Sequence, residues 1–179
     1  IAHQQSPAAP VVEQATEAAP AAEAPVIAPP AAPKPSGKTY QYYLKAANKY
    51  AAKKNWGKAA SEFKKASAAL PETDIRRISV LKLQGQMYSK LKDFAKAKPC
   101  YLASIQTAKK LGVTNSTVVQ SYLGLADSFE KTGNTPAALK NYEKALGLSE
   151  DAKARKRIAA TVRRLSQVAE PVKESQPEP

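Results

Sequence analysis

From Tyr40 onward, apolar side chains recur at helical intervals. Tyr43, Ala47 and Tyr50 stand at i, i+4 and i+7, one face of a helix. The pattern breaks at Asn55-Trp56-Gly57, resumes with Ala59, Phe63 and Ala66, and stops at Pro71. It predicts two helices joined by a short turn, an αα-hairpin.

The hairpin pattern occurs three times. A small residue is followed, three positions on, by an aromatic one: Ala47 and Tyr50, Gly85 and Tyr88, Ala126 and Phe129. Twelve residues after the small residue comes an alanine (Ala59, Ala97, Ala138), four later an aromatic (Phe63, Tyr101, Tyr142), and three later a small residue (Ala66, Ser104, Ala145). Helices approach closely only where small side chains face each other, and the rings fill the wider gaps beside them. One hairpin cannot bury its apolar faces alone, so the copies are expected to stack into a solenoid. Turn residues agree: Lys92-Asp93 in copy two, and Gly133-Asn134-Thr135-Pro136 in copy three, where Pro136 suits the first turn of a helix.

After the third hairpin, Ile158, Val162 and Leu165 form one apolar stripe on a helix predicted from about Asp151 to Val168, with Ser149 as its N-cap. Such a helix, polar on its other face, caps a repeat array.

This constellation (Ala47-x-x-Tyr50, Ala59-x-x-x-Phe63, Ala66, Pro71 and their counterparts) resembles the tetratricopeptide repeat family over about residues 40 to 150. The resemblance implies an all-α fold: a right-handed α-solenoid of three helix-turn-helix repeats plus a capping helix. The copies are 38 and 41 residues apart, against about 34 in the family. The extra residues fall between repeats, about Glu72 to Arg77 and Lys109 to Thr117. Extended second helices are expected there, above all over Tyr101 to Leu111, with Gly112 as C-cap and Asn115 or Ser116 as the next N-cap.

The resemblance also implies a groove lined by the first helices. Its partner-facing side chains are Gln41, Leu44 and Asn48 in copy one, Lys82, Gln86 and Lys90 in copy two, and Gln120, Leu123, Asp127 and Lys131 in copy three. Some family members clamp a C-terminal carboxylate with Lys and Asn at fixed groove positions. Here Asn48 fits one of them, but Leu44, Gln120 and Gly124 stand where basic residues are needed, which argues against a clamp.

The ends of the chain are different material. Residues 1–38 are dominated by Ala and Pro, and too few large side chains are present to offset folding entropy. A disordered, semi-extended tether is expected, with a reach on the order of 100 Å. Residues 170–179 read as a disordered tail, which leaves 39–169 as the helical domain. The chain opens on Ile1, as after loss of a leader or in a fragment. Ala/Pro tethers of this kind resemble those of bacterial envelope proteins, so an exported, periplasmic setting is expected, with the cytoplasm as the alternative. No apolar run is long enough to span a bilayer.

Net charge is +13, and residues 39–170 hold 25 Lys and Arg against 10 Asp and Glu. The densest stretch is the seventh helix, with Lys153, Arg155, Lys156, Arg157, Arg163 and Arg164. Such a field attracts acidic partners, nucleic acid or anionic surfaces, although a solubilising surface explains it equally. Catalysis finds no support. His3 lies in the tether, Cys100 has no histidine nearby to activate it, and no phosphate loop or metal-ligand cluster is present. No cofactor is implied. Two functions follow: a scaffold that holds a peptide or protein, acidic in character, as an accessory of an envelope assembly; or a binder of anionic polymer through the basic helix. Chain-to-chain stacking is a third route, against which the basic cap argues.

Overall fold

The computed structural model describes residues 39–169, so the tether and tail expectations lie outside the described residues. Within that span are seven helices and no strand: α1 (Tyr40–Ala52), α2 (Trp56–Ala68), α3 (Arg76–Lys90), α4 (Phe94–Lys110), α5 (Ser116–Lys131), α6 (Thr135–Leu148) and α7 (Ala152–Ala169). They pack as hairpins α1–α2, α3–α4 and α5–α6, with each second helix also against the first helix of the next unit. The chain folds as an all-α repeat solenoid, as its periodicity predicts.

One turn closes all three hairpins. Lys54, Lys92 and Gly133 take positive φ of 57°, 58° and 77°. The next residue then donates its amide back to the aromatic residue of the first helix: Asn55 to Tyr50, Asp93 to Tyr88, Asn134 to Phe129, at 2.9, 3.0 and 2.9 Å. This is the Schellman closure of a helix C-terminus. The same residue N-caps the second helix, its side chain accepting from the amides of Lys58, Lys96 and Ala137 at 3.3, 3.1 and 3.1 Å. The helix stop, the turn and the next start thus occupy three consecutive residues.

The small residues do what their spacing implies. Ala47, Ala59, Ala66, Ala97, Ala126, Ala138 and Ala145 expose no surface. The ring of Tyr101 lies in a slot between two glycines. A Cβ on Gly85 would come within 2.8 Å of it, and one on Gly124 closer still. Its hydroxyl meets Ser89 at 3.1 Å. In the third hairpin the Tyr142 hydroxyl donates to Glu130 at 3.0 Å, the same twelve-residue offset. In the first hairpin the ring is Phe63, without a hydroxyl, and the residue twelve earlier is Ala51. The buried Ser104 hydroxyl bonds the Ile78 carbonyl at 2.8 Å and the Ser121 hydroxyl at 2.9 Å, stitching α4 to α3 and α5.

The junctions differ from each other. The extended helix expected after Tyr101 is found: α4 runs to Lys110, Gly112 has φ 65°, and Asn115 caps α5. The first junction is not helix but a turn over residues 69–75, because Pro71 has no amide to donate. Arg77 reaches back from α3 and donates to the Ser67 and Leu70 carbonyls at 2.7 and 3.1 Å, satisfying the open end of α2. Arg155 does the same for α6, through the Leu146 and Ser149 carbonyls at 2.9 and 2.8 Å. Ser149 is not the cap of α7. It is buried at the end of α6, and the Asp151 carboxylate accepts the Lys153 amide at 2.9 Å instead. Ile158 and Leu165 bury on the last hairpin as predicted.

Candidate functional site

The predicted groove residues lie on α1, α3 and α5. Gln120, Leu123 and Asp127 stand at i, i+3 and i+7, one stripe along α5. Lys82 reaches this stripe from α3, its ammonium donating to the Gln120 side-chain oxygen at 2.9 Å. Helices α3 and α5 touch directly, which makes the exchange possible. Gln86 is half-buried, and Lys90 and Lys131 are exposed toward the helix ends. On α1, Gln41 and Asn48 are exposed, whereas Leu44 packs on the N-terminal core. Among the described residues no hydrogen bond joins the α1 set to the α3 set.

Beside the stripe is a cleft of about 620 Å³ between α5 and the α6–α7 turn. Gln120 and Leu123 line it together with Val119, Leu148 and Ala154, and Glu150 and Asp151 stand at the turn. Leu148, Glu150, Asp151 and Ala154 are not legible as groove residues in the sequence, because the α6–α7 region contributes to the groove only once its turn is placed. Two charges on this face are half-buried and form no ion pair among the described residues. Burial holds the Lys82 ammonium below its ordinary range. Burial likewise raises the Asp127 carboxyl, with Lys131 one turn on working against the shift and Glu130 adding to it. Glu130 is satisfied. Burial alone would raise its carboxyl, but the Arg164 guanidinium, at 2.7 Å, and the Tyr142 hydroxyl hold it below the ordinary carboxylate range.

The carboxylate clamp has no room here. Gly124 lies under the Tyr101 ring, and Leu44 is committed to the core. The predicted basic patch on α7 divides. Arg155 serves the end of α6 and Arg164 pairs with Glu130, while Lys153, Lys156, Arg157 and Arg163 are exposed. Cys100 is buried, its thiol bonded to the Lys96 carbonyl at 3.2 Å and pushed up to about 11 by burial, so it is no nucleophile.

No curated protein matches the chain. Among solved structures, the N-terminal domain of stress-induced protein-1 (STI-1) from C. elegans superposes with a TM-score of 0.62 at 15% identity, covering 71% of this chain and 94% of its own. The first TPR domain of Spaghetti (RPAP3), bound to the HSP90 peptide SRMEEVD, gives 0.58 at 18%, covering 73% and 93%. The Arabidopsis OM64 TPR domain gives 0.58 at 17%, covering 70% and 95%. These likenesses show the fold. Residues 76–151, from the start of α3 to the N-cap of α7, match the tetratricopeptide repeat family itself. The repeated hairpin geometry of α1 to α6 agrees with that match, so the chain is similar to the tetratricopeptide repeat family over residues 76–151 and shares the fold of its solved members.

Proposed function

We propose that this protein is a non-enzymatic interaction scaffold that holds a peptide or a protein surface on the face formed by its first helices. The observation that carries it is the joined α3–α5 face. There Lys82 bridges to Gln120 beside an open cleft, and among the described residues neither Lys82 nor Asp127 forms an ion pair. A structural neighbour holds a peptide, which supports the same use of the fold. The Ala/Pro-rich segment 1–38 supports a place outside the cytoplasm, as an accessory of an envelope assembly. The test is a photo-crosslinking amino acid at Leu123 on the face, and at Leu102, exposed on α4, as control. In native cells Leu123 should yield a protein adduct and Leu102 none. Adducts at neither position, or equally at both, would refute the scaffold, and fractionation of the same cells tests the envelope setting.

A second function is favoured by one observation: Lys153, Lys156, Arg157 and Arg163 are exposed on α7 with no ion pair among the described residues. They suit an anionic polymer. Binding of such a polymer should fall steeply with salt. Replacing these four by Ala should abolish it, and unchanged binding would eliminate this function.

A further inference from the structure

The two half-buried charges of the face that form no ion pair among the described residues have opposite sign and a fixed separation. Lys82 delivers its ammonium to Gln120, and Asp127 lies seven residues further along the same stripe of α5. At 1.5 Å per residue that is about 10 Å. Leu123 stands between them and opens into the cleft with Val119 and Leu148. A ligand that satisfies all three features carries an anion, an apolar group and a cation in line.

We propose that this face takes an extended peptide segment bearing one acidic and one basic side chain three residues apart, with an apolar side chain between them. The acid meets Lys82, the apolar side chain enters the cleft over Leu123, and the base meets Asp127. The spacing fits a polyproline II backbone. With three residues per turn and 3.1 Å per residue, positions i and i+3 share one side about 9 Å apart. The proposal rests on the scaffold function and narrows it, because the overall charge of the protein alone would select a purely acidic partner. Overall charge acts at long range and is screened within about 8 Å at physiological salt. The partly desolvated charges act at contact, and each incoming opposite charge relieves an unpaired group. Groups already satisfied, such as Glu130 on Arg164, add nothing to selection.

The test uses the full chain and short fluorescein-labelled peptides in an Ala/Pro frame, read by fluorescence anisotropy. Four probes carry Glu-Pro-Leu-Lys, Lys-Pro-Leu-Glu, Glu-Pro-Leu-Glu or Lys-Pro-Leu-Lys. One of the two mixed orders should bind about tenfold tighter than both like-charged probes. Lys82→Met and Asp127→Asn, which leave the helices intact, should each remove about that factor. The double variant Lys82→Glu/Asp127→Lys should transfer the preference to the opposite mixed order. Several results overturn the proposal: a like-charged probe binding as tightly as the better mixed one, no probe binding at all, or affinity insensitive to both single variants. So does concentration-dependent self-association that consumes the face, seen by light scattering and abolished by Leu123→Glu. A Leu123 crosslink obtained together with a failed charge preference separates the two ideas: the scaffold stands and this specificity falls.

Discussion

Gly124→Ala is the sharpest test of how these hairpins stack. In an ordinary helix the change is favourable by about 1 kcal/mol, because alanine loses less backbone freedom than glycine. At Gly124 the added Cβ would overlap the Tyr101 ring. The ring cannot retreat, since Gly85 lies against it within the same slot and Ser89 holds its hydroxyl. Overpacking of a close-packed site costs about 1–3 kcal/mol, and here the neighbour is a rigid, 2% exposed ring, so the upper end applies. The net expectation is a loss of about 2 kcal/mol, or roughly 8 °C in Tm for a domain of this size. Gly147→Ala is the matched control. It lies in α6 with nothing within 4 Å of the new Cβ, and should stabilise by about 0.5–1 kcal/mol. Far-UV circular dichroism melts of the two variants against the native chain decide the matter. If Gly124→Ala melts at or above the native temperature, Tyr101 does not lock α3, α4 and α5 together as described. Adding Tyr101→Leu to Gly124→Ala should recover part of the loss, and a further drop would point to another cause.

The turns make a second prediction: Lys54→Gly and Lys92→Gly should each stabilise by about 1 kcal/mol, and Gly133→Ala should destabilise by a similar amount, because all three positions have positive φ. Denaturant titrations with unchanged m-values would report this directly. The Asp127 carboxyl is raised on folding, so its ionisation opposes folding; stability from this group is greatest below the ordinary carboxylate range and is lost as pH rises through it. Asp127→Asn should therefore raise Tm at neutral pH, with the advantage disappearing in acid. The Glu130 carboxyl is lowered, so its contribution has the opposite sign: it is present at neutral pH and lost as pH falls through the folded carboxyl's range. Glu130→Gln should lower neutral Tm and flatten the acid limb. Finally, Cys100 should react with a thiol reagent only at the rate of unfolding, and rapid labelling of the native chain would contradict its burial.

The hairpins were legible because their determinants are local. Small and aromatic residues at fixed offsets mark where helices touch, and Ala47, Ala97 and Ala138 are buried where that spacing puts them. The pairing of Ser89 with Tyr101 and of Glu130 with Tyr142 is also written in the chain, as a polar residue twelve before each tyrosine and Ala51 before Phe63. Its meaning appears only when the hydroxyls are seen to point at those positions. The termini were harder. Ser149 and Asp151 are both good capping residues, and choosing between them needs the direction of the α6–α7 turn, which Arg155 sets from nine residues beyond Leu146. The two fold contacts within the basic stretch of α7 are illegible in the sequence for a similar reason. All six basic residues look alike in a charge tally, but Arg155 spans two carbonyls at the end of α6, as Arg77 does for α2, and Arg164 pairs with Glu130, while Lys153, Lys156, Arg157 and Arg163 stay exposed.

The distribution of satisfied and unsatisfied charge argues that stability and recognition are separated along α5. At Glu130 the chain supplies both a guanidinium and a hydroxyl, closing the third hairpin onto α7. One turn earlier, Asp127 has the same chemistry and a basic neighbour in Lys131, yet forms no ion pair among the described residues. Among the described residues Lys82, across the face, is held by a neutral amide. Each is an arrangement that costs folding free energy which a simple Asn or Met would recover, and such costs concentrate where side chains are kept for a partner. If Asp127→Asn and Lys82→Met both stabilise the fold while weakening ligand, that separation is real, and the face between α3 and α7 is where the scaffold acts.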